Sequence, residues 1–261
     1  MNGGLLSLMK SEWRKVISTK LLWILLAASI AFNALNVVIL VLVAPDSIAG
    51  LADKNPLTDP SYLTTVLAAA GGASVFVLIL GIIGMTGEYR HMTITSTLLA
   101  TPRRGRVLIG KGLTYALIGA AFAVINVLAV YVITLVTLIN KDHAAIDAGM
   151  VGSILLGVTL GLAIYAVVGV SVGALIKNQV AAIVIAIIWV LLVEPLVGLF
   201  IDGSSKWLPG GALNAAMNVT TDAELSSVDV LPVWGGAALL LAYAIVFAAI
   251  ASVTTVKRDI T

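Results

Sequence analysis

Six long runs of apolar residues are spaced along the chain, and between the second and third lies a polar, basic segment of about 25 residues. The runs are continuous and do not alternate, which excludes the short period-two segments of a membrane barrel and points to helices. A helix rises about 1.5 Å per residue, so about 20 apolar residues cross a hydrocarbon core. The pattern predicts spans at about 21–43, 62–85, 113–139, 150–176, 180–201 and 233–256. Most connections are short. The exceptions are the segment 87–112 and a segment 202–232 that contains Trp207, Pro209, Gly210 and Gly211. No internal repeat or soluble domain is evident, so residues 1–261 are read as a single transmembrane domain, all-α.

Composition supports this reading. Hydrophobic residues make up 60% of the chain and charged residues 11%, against about half and a quarter in soluble domains. With no cysteine, the sequence excludes disulfides and thiolate metal sites. His91 and His143 are far apart in sequence, which disfavours a histidine metal site.

Charge sets the expected orientation. Lys10, Arg14, Lys15, Lys20, Arg90, Arg103, Arg104, Arg106, Lys111, Lys177, Lys257 and Arg258 fall on the side of the termini, and only Lys54, Lys141 and Lys206 on the other. The positive-inside rule then makes both termini cytoplasmic and segment 202–232 external. The first apolar run is too long for a signal-peptide core and is expected to remain as an anchor.

Before span 1, Leu5, Met9, Trp13 and Val16 recur at helical spacing, with Lys10, Arg14 and Lys15 largely on the other face. An amphipathic helix over residues 4–20 is expected in the membrane interface, with Glu12 as its lone acid. It serves either as a generic anchor or as a functional element. In the central segment, Met92, Thr95, Leu98 and Leu99 share a helical face, and Pro102 ends that helix. Gly105 to Lys111 matches the spacing of a phosphate loop. However, Gly112 stands where the magnesium-binding hydroxyl belongs, and the stretch leads straight into a span, so no nucleotide site is expected.

Within the spans, Gly157/Gly161 and Gly169/Gly173 are small-residue pairs that pack helices closely, within the chain or between subunits. Glu194 precedes Pro195 near the outer end of span 5. It is either an intramembrane functional carboxylate or a group near water where the helix breaks. Asn33, Asn36 and Asn126 are further polar groups, with Asn33 and Asn36 able to share a face. Glu194, Asn33 and Asn36 are the candidates for a substrate path. No zinc-protease motif, serine–histidine pair or carboxylate dyad is present, and nothing points to nucleic acid.

Three stretches carry a resemblance to a known family. Ser11-Glu-Trp-Arg-Lys15, the segment TITSTLLATPRRGRVLIGK ending at Lys111, and Trp207-Leu-Pro209 with Lys257-Arg258-Asp259 resemble the membrane subunit of type-2 ABC transporters, the small bacterial permeases without a fused ATPase. The six-span layout extends the likeness over nearly the whole chain. The resemblance implies a non-catalytic permease in a bacterial inner membrane, paired with a second permease subunit, identical or related, and driven by separate ABC ATPase subunits that hold the ATP and magnesium. No cofactor is expected on this chain. The resemblance also implies that His91–Pro102, including Met92, Thr95, Leu98 and Leu99, is the coupling helix, with Glu88 at its entry. Glu12, Trp13, Arg14 and Lys15 fall on the interface helix. The expected cargo is a hydrophobic or amphipathic compound moving outward. The competing expectations are an ion-coupled carrier or channel built around Glu194, and a non-transporting scaffold. One further expectation concerns the first of these regions: Glu88 pairs with Arg14 or Lys15 and ties the two segments together.

Overall fold

The computed structural model describes residues 5–43, 55–92, 104–219 and 231–257. Every regular element among them is helical. Six helical stretches are long and apolar enough to cross a membrane: Lys20–Val43, Pro60–Arg90, Gly105–Thr137, Ala148–Leu175, Gln179–Phe200 and Val233–Ala251. They coincide with the expected runs to within a few residues at most ends, because an uninterrupted apolar run has no way to satisfy its backbone in lipid except as a helix.

The chain begins with α1 (Leu5–Ile17). This helix is shorter than the expected 4–20 because Ser18 and Thr19 turn their hydroxyls back onto the Lys15 and Val16 carbonyls and close the last turn. Helix α2 (Lys20–Val38) follows and ends in a wide π turn over Ile39–Val43. The second span is a composite rod. Helix α3 (Pro60–Ala68) is capped by the Asp59 carboxylate, which accepts from the Ser61 amide. It passes through a 3₁₀ stretch, Ala69–Ala73, into α4 (Ser74–Arg90). The small residues of that stretch let α2 approach closely, since a side chain on Gly72 would meet Phe32 and Asn33.

Helix α5 (Arg104–Thr137) forms the third span and α6 (Ala148–Leu175) the fourth, the latter capped by Asp147 onto the Met150 amide at 2.6 Å. Helix α6 is the hub of the bundle, packing on α4, α5 and the last helix. Its glycines make this possible. A Cβ on Gly169 or Gly173 would run into the Leu78 or Ile82 backbone of α4, and one on Gly157 into the Ala216 carbonyl. The small-residue pairs therefore serve packing within the chain.

The fifth span consists of α7 (Gln179–Ile188), a π turn over Trp189–Val193 and α8 (Glu194–Phe200). Of the two alternatives for this region, the break at Pro195 does not occur. Proline cannot donate to a carbonyl four residues back and its ring crowds that carbonyl, so the turn before it widens and the helix continues. After the 3₁₀ turn Ser205–Trp207, a short helix α9 (Pro209–Ala216) packs against α6 and α10 (Val233–Lys257).

The spans differ in burial. In the apolar heart of the central rod Pro60–Arg90, 67% of the residues are buried, against 17% and 11% in the corresponding stretches of Gln179–Phe200 and Val233–Ala251. These two lie at the bundle's edge with broad apolar faces outward, as expected where lipid or another membrane chain replaces protein contacts.

Candidate functional site: a buried charge cluster at the basic end

The central connection is shorter than the sequence predicts. Helix α4 runs to Arg90 and α5 begins at Arg104, so Glu88 and Lys111 are helical residues of the two spans and not part of a loop. The α4 helix ends at His91 and at Met92, whose φ of 55° is left-handed and stops further helical propagation. Thr95, Leu98, Leu99 and Pro102 lie outside the described residues.

Lys111 stands at the centre of the site and is 2% exposed. Its ammonium donates to Glu12 Oε2 of α1, to Glu88 Oε1 of α4 at 3.0 Å and to the Gly84 carbonyl at 3.1 Å. Three N–H groups meet three acceptors, which leaves none for a phosphate. The Tyr115 ring, one turn along α5, lies 5.8 Å from the ammonium. Its hydroxyl occupies the space that a side chain at Gly84 would fill. Lys15 closes the cluster from the solvent side, 2.6 Å from Glu12 Oε1 and 3.3 Å from Glu88 Oε1.

Two carboxylates and two ammonium groups thus balance, but unequally. Lys15 has a half-exposed side chain, whereas Lys111, Glu12 and Glu88 are buried. Burial alone pushes the Glu12 carboxyl upward, but Lys111 and Lys15 together outweigh it and hold the group below its usual value. Charges removed from water need this matching, because an uncompensated one costs several kcal/mol.

The same groups line a cleft of about 630 Å³ between α1, α2, α4 and α5, with His91 at its edge. Trp13 lies partly exposed on α1 and Arg14 on its exposed face, so the expected pairing with Glu88 falls to Lys15 and not to Arg14. Lys111, the larger partner, was hidden behind its incomplete phosphate-loop match. The signal was present in spacing: Val107, Lys111, Thr114, Tyr115, Ile118, Phe122 and Asn126 recur at three and four residues, and all are buried on one face of α5.

The remaining candidates separate. Asn33 is fully buried and donates to Asn126 Oδ1 at 3.0 Å, while Asn126 donates to Ser29 Oγ at 3.1 Å and to the Phe122 carbonyl. This is an interhelical polar clasp between α2 and α5. Asn36 is not part of it; its amide folds back onto the Phe32 carbonyl of its own helix. Glu194 lies elsewhere again, buried near the start of α8, with its Oε2 accepting from the Gly210 amide at 2.8 Å.

Comparison with known proteins finds no family model and no curated protein that matches the chain.

Proposed function

We propose that this chain is the permease half of an ATP-driven transporter, an ABC-type exporter of hydrophobic or amphipathic compounds whose ATPase is a separate chain. In this reading it works as a dimer with an identical or related permease in a bacterial inner membrane, both termini cytoplasmic. The observation that carries the proposal is Lys111 bridging Glu12 and Glu88. One buried ammonium joins the interface helix to the two spans that flank the connection 91–103. A partner pressing on that connection moves α1, α4 and α5 together, because separating them exposes unpaired charge.

The test is made on the assembled complex. Copurification with an ATPase that has a complete phosphate loop is expected. Glu88→Ala lowers substrate-stimulated ATP hydrolysis without releasing the partner, whereas Leu98→Asp releases it. The isolated chain binds no ATP; saturable binding abolished by Lys111→Ala would refute the division of labour. Full transport-coupled ATPase activity in the Glu88 variant would remove the coupling role.

A second reading rests on Glu194, a buried intramembrane carboxylate. As an ion-coupled carrier the chain would move substrate along an ion gradient without an ATPase. Transport by the reconstituted chain alone separates the two readings.

A further inference from the structure

A second cleft, of about 410 Å³, lies among α2, α4, α6, α8 and α9, far in sequence from the Lys111 cluster. Phe32 and Tyr165 supply aromatic surface, Leu213 and Met217 aliphatic surface, and Asn214 a polar edge. Among the described residues Glu194 is the only acidic side chain lining the cleft, and no lysine or arginine among them lines it. The carboxylate is 8% exposed. One oxygen is held by the Gly210 amide. The Trp189 side chain also interacts with the carboxylate, yet Oε1 has no hydrogen-bond partner of ordinary geometry.

A buried carboxylate without a counter-charge is costly to keep ionised. The Lys111 cluster shows how this fold supplies a counter-charge where the group is structural. Among the described residues none lines the cleft beside Glu194. Its counter-charge is therefore left to a proton or to a cation that the described residues do not supply. Calcium and magnesium take about six or more oxygen ligands and zinc about four ligands, and the described residues hold no group of three metal-ligating side chains. An ammonium needs one carboxylate acceptor and apolar or aromatic walls for its body.

We propose that this cleft binds an amphipathic organic ammonium, with its N–H donating to Glu194 Oε1 and its apolar body against Phe32 and Tyr165. As a transport site it deepens, and rests on, the permease reading; as a binding site it stands without it. The position of Gly210 is part of the design, because a side chain there would press on Glu194 Oε2.

The test uses the full chain in lipid nanodiscs and equilibrium dialysis with 2-phenylethylammonium, against the uncharged 2-phenylethanol. Wild type is expected to bind the cation saturably and the alcohol more weakly. Glu194→Gln removes the charge and keeps the shape, and is expected to weaken the cation about ten- to a hundredfold while leaving the alcohol unchanged. Glu194→Asp keeps the preference for the cation, and decides the matter should the Gln variant fail to fold. Equal binding of the two compounds to wild type, no saturable binding of the cation, or equal loss of both in Glu194→Gln would overturn the site. Cation binding that never stimulates the ATPase of the assembled complex supports the site and counts against the transport role alone.

Discussion

The two buried carboxylate sites of this molecule are opposites in charge accounting. At the basic end, Glu12 and Glu88 face Lys111 and Lys15 from three different helices, and the cluster is neutral within itself. Around Glu194 no basic side chain among the described residues lines the cleft, and among them a backbone amide is the one hydrogen-bond donor of ordinary geometry. A buried acid is costly in either place, so burial alone does not distinguish a structural acid from a ligand-binding one. What distinguishes them is whether the fold itself supplies the neutralising charge. The first site locks helices together; the second leaves a place for something to arrive.

The largest test of this contrast removes the central cation. Lys111→Ala leaves two buried carboxylates facing only the half-exposed Lys15 and is expected to cost about 3–5 kcal/mol of stability, read from the unfolding of the reconstituted chain. Neutralising all three buried groups, Lys111→Met with Glu12→Gln and Glu88→Gln, should recover most of that loss. Recovered stability with ATPase coupling still absent would sharpen the assignment of the cluster to force transmission. A single Lys111→Ala variant as stable as wild type would break it.

Acid should act on the same cluster. The folded state holds Glu12 below its usual value, so its contribution is fully present above the ordinary carboxylate range. It is lost as pH falls through the lowered folded value. The unfolding midpoint should therefore drop on acidification below the ordinary range, and Glu12→Gln should flatten that drop. An unchanged acid slope in the variant would show that Glu12 is not the responsible group.

At the other site the sign reverses. Glu194→Gln removes a buried charge for which the described residues supply no counter-charge, and stability is expected to hold or rise by up to about 1 kcal/mol. A loss like that of Lys111→Ala would mean that Glu194 is a structural acid after all. Smallest of all is Lys15→Ala. Its side chain is 54% exposed, so screened pairing contributes about 0–1 kcal/mol and fades with salt. Lys15 and Lys111 thus calibrate one another on shared acids. An equal cost for both would contradict the difference in burial.

Much of the architecture was legible in the residues. Apolar runs of about 20 fix six helices because lipid offers the backbone no other partner. The amphipathic start of the chain fixes α1, and the glycine pairs of α6 mark where backbones touch. Less could be read at the sites. Asn33 and Asn36 sit three apart and can share a helical face, yet only Asn33 meets Asn126, because α5 approaches α2 along one line and passes the other residue by. Pro195 looks like a break, and the π turn before it absorbs the misfit.

What the sequence by itself determined are the quantities set along one dimension: the number of spans, their lengths, the sorting of charge and the lack of metal chemistry from cysteine. These follow from local transfer energies and backbone hydrogen bonding, which need no knowledge of neighbours. Tertiary structure alone decided which charges meet. Glu12 and Lys111 lie 99 residues apart, and Glu194 and Gly210 lie 16 apart across a turn and a change of helix. A carboxylate's partner depends on the packing of whole helices through their glycine faces. The pairing of Glu12 and Glu88 with Lys111, and the want of a cation beside Glu194 among the described residues, therefore belong to the assembled bundle.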